Sequence, residues 1–245
     1  MPSNHDSAGR PIVVVTGMGV VTSLGAGKVE NWKNLTAGKS GIKNITRFST
    51  EGLKTRFAGT VDFVPAEPLS SPELSERLAD LAADEAVSES GIGSRGDFPG
   101  PLFIAVPPIE IEWEQRRQVA AASGANANVS YTDLVRTAAS GKFHPFHERF
   151  MFGSVANHLA DKFGTKGSPI SLSTACASGG SAIQLGVEAI RRGEADAALC
   201  IGTDASVNSE CLIRFSLLSA LSTSNDPPQG AVRPFAKNRD GFIMA

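Results

Sequence analysis

The chemistry in this 245-residue chain concentrates on one thiol. Cys176 lies in Ser171-Leu-Ser-Thr-Ala-Cys176-Ala-Ser-Gly179-Gly180. A β-prone run, Pro169 to Thr174, leads into it, and a helical pattern from Ser181 to Arg192 follows. A thiol therefore stands where a strand hands over to a helix. The first backbone N–H groups of a helix have no internal partner, and the helix dipole adds positive potential there. A thiolate at that point is stabilised, and its pKa is expected to fall from about 8.5 toward neutrality. Ala175, Ala177, Gly179 and Gly180 leave the approach unobstructed. Cys176 is expected to be an activated nucleophile rather than core filler.

The other candidates point to packing. Cys200 sits in the apolar run Ala197-Ala-Leu-Cys200-Ile201, the pattern of a buried strand. Cys211 precedes Leu212 and Ile213 and reads as packing too. No CxxC pair is present, so zinc-ribbon and dithiol chemistry are not expected. The histidines are His5, His144, His147 and His158. His144-Pro-Phe-His147 has an interior proline and no evident third ligand, so no metal is expected. His158 falls in a helical pattern ahead of the cysteine strand and reads as a local hydrogen-bonding residue.

The elements that must position Cys176 alternate. Pro11 to Thr16 is a continuous β-branched run, as in a strand buried on both faces. A helix is expected near Gly27 to Ala37, with Trp32 and Leu35 on its apolar side. Residues 42 to 70 read as irregular, with a short β run around Phe57 to Val64. Pro72 to Ser90 places Leu74, Leu78, Leu81 and Ala82 at helical spacing. Pro101 to Val106 is a second buried-type strand, broken by Pro107-Pro108. Residues 109–150 read as a cap-like insertion of helices and loops, and Phe150 to Lys162 as a helix. Strands alternating with helices predict an α/β fold with a mostly parallel sheet.

Composition excludes several classes. Apolar residues make up 41% and the net charge is −2, so neither nucleic acid nor an anionic membrane is an expected partner. Residues 1–10 are polar, lack a signal-peptide pattern, and are expected to form a disordered arm. Three cysteines without framework spacing suggest a reducing, cytoplasmic setting. Gly241-Phe-Ile-Met-Ala245 reads as the approach to another strand, so a chain cut inside a larger fold is expected.

Four stretches, in order and spacing, resemble the N-terminal half of a β-ketoacyl-acyl-carrier-protein synthase of the fatty-acid elongating type. They are Val14-Val-Thr-Gly17-Met-Gly19-Val-Val-Thr22-Ser-Leu-Gly25, Thr174-Ala-Cys176-Ala-Ser-Gly179, Leu221-Ser-Thr-Ser-Asn225-Asp-Pro, and Arg233-Pro-Phe235 leading to Arg239-Asp-Gly241-Phe242. Thiolases share the fold and a helix-terminal cysteine, but not the last stretches. The resemblance implies a thiolase-like αβαβα layered fold, N-terminal half only, spanning residues 11–245. It implies that Cys176 takes an acyl chain from acyl-carrier protein, that its backbone N–H forms one side of an oxyanion hole, and that a decarboxylated malonyl-carrier thioester attacks the acyl-enzyme. It also implies a homodimer through the Ile170–Thr174 strand and no cofactor. The family's two catalytic histidines and lysine come from its C-terminal half, so this chain alone is not expected to complete the condensation.

Two departures stand out. Val106-Pro-Pro-Ile-Glu-Ile-Glu-Trp113 replaces a glycine-rich stretch, which should reshape the loop and the acyl pocket or the dimer contact. Ser219 and Ser224 stand where relatives carry carrier-docking arginines, so weaker docking or a different carrier is expected. Arg214 and Lys237 are nearby, and both read as solvated surface charges. Two rival readings remain at this stage. Gly17-Met-Gly19-Val-Val-Thr22 after a strand resembles a dinucleotide fingerprint, but weakly: Thr22 stands at the third glycine, no clear acidic residue ends a second strand about twenty residues on, and a tight turn also explains the glycines. The other reading is a non-catalytic carrier-binding or dimerisation half, but relatives of that kind lack the cysteine.

Overall fold

A computed structural model describes residues 4–66, 70–124 and 130–245. Residues 1–3 of the expected arm and 125–129 of the expected insertion lie outside the described residues. In chain order the elements are β1 (Val21–Thr22), β2 (Gly25–Ala26), α1 (Lys28–Thr36), β3 (Lys43–Asn44), β4 (Phe57–Ala58), α2 (Ser71–Ser90) and β5 (Leu102–Ala105). Then come α3 (Trp113–Ala122), α4 (Tyr131–Ala139), α5 (His144–Arg149), α6 (Ser154–Phe163), β6 (Ile170–Leu172), α7 (Ser178–Arg191), β7 (Leu199–Gly202) and α8 (Ser209–Leu217).

The central sheet is parallel, in the order β6-β5-β7. Ala105 pairs with Leu172 on one side and Gly202 on the other, so all three strands end level. β5 is buried along its whole length. Leu102 and Ile104 face one layer, where α2 and α6 contribute Ala79, Ala83, Val155 and Leu159. Phe103 and Ala105 face the other, where α7 supplies Ala182 and Ala189. This is the α/β/α layering expected from the alternating pattern. α2 begins with Pro72 in its first turn and ends on Gly91 at φ 64°, a left-handed stop that glycine adopts freely. No helix among the described residues is long and apolar enough to cross a membrane.

Several expectations fail at the N-terminal end. Pro11–Thr16 joins no strand, and only Pro11 forms a bridge, to His5. Val14 and Val15 are 68% and 75% exposed rather than buried on both faces. Trp32, Leu35 and Leu81, expected on apolar sides, are also exposed, and α1 buries Asn31 instead. The expected β run at Phe57 to Val64 shrinks to Phe57–Ala58, paired with β3. A reason is visible. Between residues 12–20 and the edge of β7, which has no strand partner among the described residues, lies a cavity of about 1010 Å³, lined by Ile12, Trp32, Leu35, Ile183 and Ile190. A β-branched run needs a partner for its backbone donors and acceptors, and here the nearest strand edge is a cavity's width away.

Urea unfolding separates the core from this segment. Phe163→Ala removes a side chain at 0% exposure and should cost about 3–5 kcal/mol. Val15→Ala should change stability by no more than about 0.5 kcal/mol. A large loss at Val15 would mean that the segment is packed in solution.

Candidate active site

Three strands ending level create a rim, and ligands in open α/β sheets bind beyond such carboxyl ends. Cys176 lies on that rim, four residues past the end of β6 and two before the start of α7. It is exposed. The residue before it, Ala175, has φ 51°, in the left-handed region that costs an L-residue about 1–2 kcal/mol. This strained strand-to-helix corner carries the exposed Cys176.

The corner is braced. The Ser178 hydroxyl accepts from the Thr174 N–H at 2.7 Å and donates to the Ala175 carbonyl at 2.6 Å. The Thr174 and Ser181 hydroxyls meet at 3.0 Å. The Ala177 and Ser178 N–H groups close turns onto Thr174 and Ala175 at 3.2 and 3.1 Å. Beneath, Gly179 of the first helical turn lies over Gly202 at the end of β7. Sequence reasoning placed the thiol but missed Thr174, Ser178 and Ser181 as its supports. Small hydroxyl residues flanking a cysteine at a strand–helix junction are the signal that was there to be read.

The other cysteines have different surroundings. Cys200 faces α7, where a Cβ on Gly186 would strike its sulfur. Burial pushes the Cys200 thiol up to about 11. Cys211 lies on α8, a helix that its sequence segment did not announce, and burial raises its thiol as well. His144 pairs with Glu148 on α5, with the His147 ring stacked nearby at 6.3 Å. His158 on α6 pairs with Glu76 at 3.1 Å, on the face of the sheet opposite α7. No group of three or more His, Cys, Asp or Glu able to hold a metal occurs among the described residues.

The glycine-containing stretch after residue 16 has a packing role. A Cβ on Gly17 or Gly19 would collide with the Ala86 or Ala82 carbonyl of α2. The N–H groups of Met18 and Val20 donate to the Glu89 and Glu85 carboxylates at 2.7 and 3.0 Å. Carboxylates therefore occupy the donors that a phosphate would need, which is contrary to a dinucleotide loop.

The last two motif stretches hold each other. Asp240 accepts from the Ser222 and Ser224 hydroxyls at 2.8 and 2.9 Å and from the Thr223 N–H at 3.2 Å. The Ser222 and Ser224 hydrogen bonds lower its carboxyl to about 2. Arg233 approaches the same carboxylate at 3.4 Å. A Cβ on Gly241 would strike the backbone at Leu221 and Ser222. Phe242 exchanges backbone hydrogen bonds with Ala220 and Ser222 and packs edge-on against Phe215 at 5.2 Å. Asn225 donates to the Lys54 carbonyl and accepts from the Arg56 N–H, and Thr55 donates to the Ser222 carbonyl at 2.7 Å. Phe235 stands fully in solvent at φ 62°.

Alkylation tests the contrast among the thiols. With its thiol near 11, Cys200 is thiolate in only about one part in a thousand at pH 8. Iodoacetamide labelling followed by peptide mass mapping should find Cys176 modified first, with Cys200 and Cys211 labelled only on unfolding. Equal labelling of Cys176 and Cys200 would remove the case for an activated nucleophile.

The chain is similar to known proteins. The model of the β-ketoacyl synthase N-terminal domain matches residues 10–245. The chain is 33% identical over 241 residues to 3-oxoacyl-(acyl-carrier-protein) synthase 2 of Vibrio harveyi, covering 95% of this chain and 55% of that protein. It is 32% identical over 240 residues to the synthase of the same name from Vibrio cholerae, with the same coverage. It is also 32% identical over 241 residues to the tetracenomycin polyketide synthase ketoacyl synthase alpha subunit of Streptomyces glaucescens, again covering 95% and 55%. Among solved structures, it is similar to a type II polyketide ketosynthase bound to a hexaketide and in complex with its acyl-carrier protein. That likeness has a TM-score of 0.72 and 29% identity, over 95% of this chain and 55% of that one. The chain thus spans about half the length of the curated relatives it matches. With a thiolase-like fold and this match over residues 10–245, the chain belongs to the β-ketoacyl synthase family and carries its N-terminal domain.

Proposed function

We propose that Cys176 is the acyl-accepting nucleophile of a decarboxylative condensation in fatty-acid or polyketide synthesis. The observation that carries this reading is the strained, hydroxyl-braced corner at Ala175, which presents an exposed thiol at the start of α7. The Cys176 thiol gives up its proton, the thiolate attacks the carrier thioester, the acyl–sulfur bond to the carrier breaks, and the carrier leaves as a thiolate that takes up a proton. The Cys176 N–H is the proposed donor to the developing oxyanion. The proposed acyl donor is an acyl-carrier protein, as in the solved relative. The proposed assembly is a homodimer through β6, whose outer edge has no strand partner among the described residues and whose Ile170 is 45% exposed.

The 245 residues are proposed to accept an acyl group without completing the condensation. His144, His147 and His158 belong to α5 and α6, and two of them are engaged by glutamates away from the Cys176 corner. Intact-mass spectrometry with an acyl N-acetylcysteamine thioester should find one acyl adduct on the wild-type chain and none on Cys176→Ala. Adding malonyl-carrier protein should release no β-ketoacyl product. Adduct formation on Cys176→Ala would overturn the nucleophile assignment, and product release would overturn only the claim of incompleteness.

Carrier docking is proposed to be weakly electrostatic. Ser219 and Ser224 carry no charge, and Arg214 is engaged by Glu110 at 2.6 Å, so none of the three offers a free cation. A carrier titration from low to physiological salt should change affinity by less than about tenfold. A steep dependence that disappears in Lys237→Ala would contradict this.

A further inference from the structure

A second feature opens on the same rim as Cys176. β5 ends at Ala105, and the chain beyond it, Pro107 to Glu112, walls a cavity of about 50 Å³ against the start of α2 and the start of α8. Pro107 is two residues past the end of β5, on the strand adjoining the one that leads to Cys176. The strands that lead to the two features are neighbours, about 4.8 Å apart where they end level.

One wall is apolar, formed by Pro107, Pro108 and Ile109. The opposite side is polar and unsatisfied. Ser75 is 1% exposed, lines the cavity, and its hydroxyl has no partner. Glu112 accepts from the Ser71 N–H at 3.0 Å with one carboxyl oxygen, while the other is buried without a partner. Ser70 and Gln115 also hold buried side-chain oxygens without partners, but they lie outside the cavity lining. The remaining charges are spoken for. Glu110 is paired with Arg116 and Arg214, and Glu210 accepts from the Trp113 N–H. Burial raises the Glu112 carboxyl, which favours the protonated form that can donate. Folded proteins seldom leave buried oxygens such as those of Ser75 and Glu112 unpaired beside one cavity unless water or a ligand meets them. An apolar wall facing hydroxyl and carboxyl groups suits a carbon chain that bears oxygen.

We propose that this cavity selects acyl chains carrying a keto or hydroxyl oxygen toward their distal end, with Ser75 and Glu112 as the residues that recognise it. The inference rests on the reading of Cys176 as the acyl acceptor. A site built to hydrogen-bond an oxygen discriminates strongly against the analogue lacking it.

The test compares N-acetylcysteamine thioesters of about six to ten carbons, with and without a distal keto or hydroxyl group, by rate of Cys176 adduct formation. Oxygenated chains should react at least about fivefold faster. Ser75→Ala and Glu112→Leu should reduce the preference below about twofold, whereas Glu112→Gln, which keeps both an acceptor and a donor, should retain it. Equal rates for both chain types, or a preference unchanged in both variants, would overturn the proposal. Calorimetric titration of the corresponding unreactive acyl amides into Cys176→Ala gives an independent reading. Tighter binding of the oxygenated amides is expected. If no thioester acylates Cys176, the proposed function fails, and the amide titration still decides the cavity: equal affinities mean that it holds only water.

Discussion

The molecule depends on the register of β5 between β6 and β7. Leu102–Ala105 is hydrogen-bonded to a strand on each side and covered by a helical layer on each face. A strand in that position has no freedom to slip, because a shift of one residue would exchange Leu102 and Ile104 with Phe103 and Ala105 between layers of different shape. The locked register brings the ends of β6 and β7 level with Ala105. The Cys176 corner, the Gly202 shelf and the polar cavity beyond Pro107 are all loops leaving one fixed edge. A rigid edge is what allows loops of unrelated sequence to hold chemistry in constant relation.

How much of this was legible varies with where each residue finds its partner. The Cys176 corner could be read locally, because a β run, a small-residue turn and a helical pattern lie within about twenty consecutive residues. β5 could be read because a short, unbroken apolar run bounded by prolines has few alternatives. Pro11–Thr16 has the same character and joins no strand beyond a single bridge from Pro11 to His5, since apolarity says that a strand needs burial but not whether a neighbouring strand lies within reach. Trp32 and Leu81 were assigned to buried faces by spacing alone, and spacing does not say which side of a helix faces protein. The polar cavity was invisible for another reason. Ser75, Glu112 and Asn208 come from three distant segments, and each alone reads as a surface residue.

The motif stretches acquire separate physical meanings. Gly17 and Gly19 are small because α2 passes against their backbone. Gly241 is small because the 221–222 backbone does the same there. Asp240 is an acceptor for three donors of the 222–224 segment, and Asn225 carries that segment across to residues 54–56. None of these residues touches the thiol. They shape the ground on which the rim stands, which is why a family can be recognised by stretches far from its chemistry.

The tie between Thr55 and Ser222 spans 167 positions of the chain. At a synthesis rate of about 5–20 residues per second, residues 54–56 wait on the order of 8–33 s before their partners leave the ribosome. During that interval the neighbouring β3–β4 pair is a two-stranded ribbon, a unit of marginal stability by itself. The nascent chain therefore matures unevenly. The β5-centred layers can assemble once β7 and its covering helices have emerged, while the N-terminal ribbon remains exposed to chaperones until the 222–225 segment arrives to fasten it.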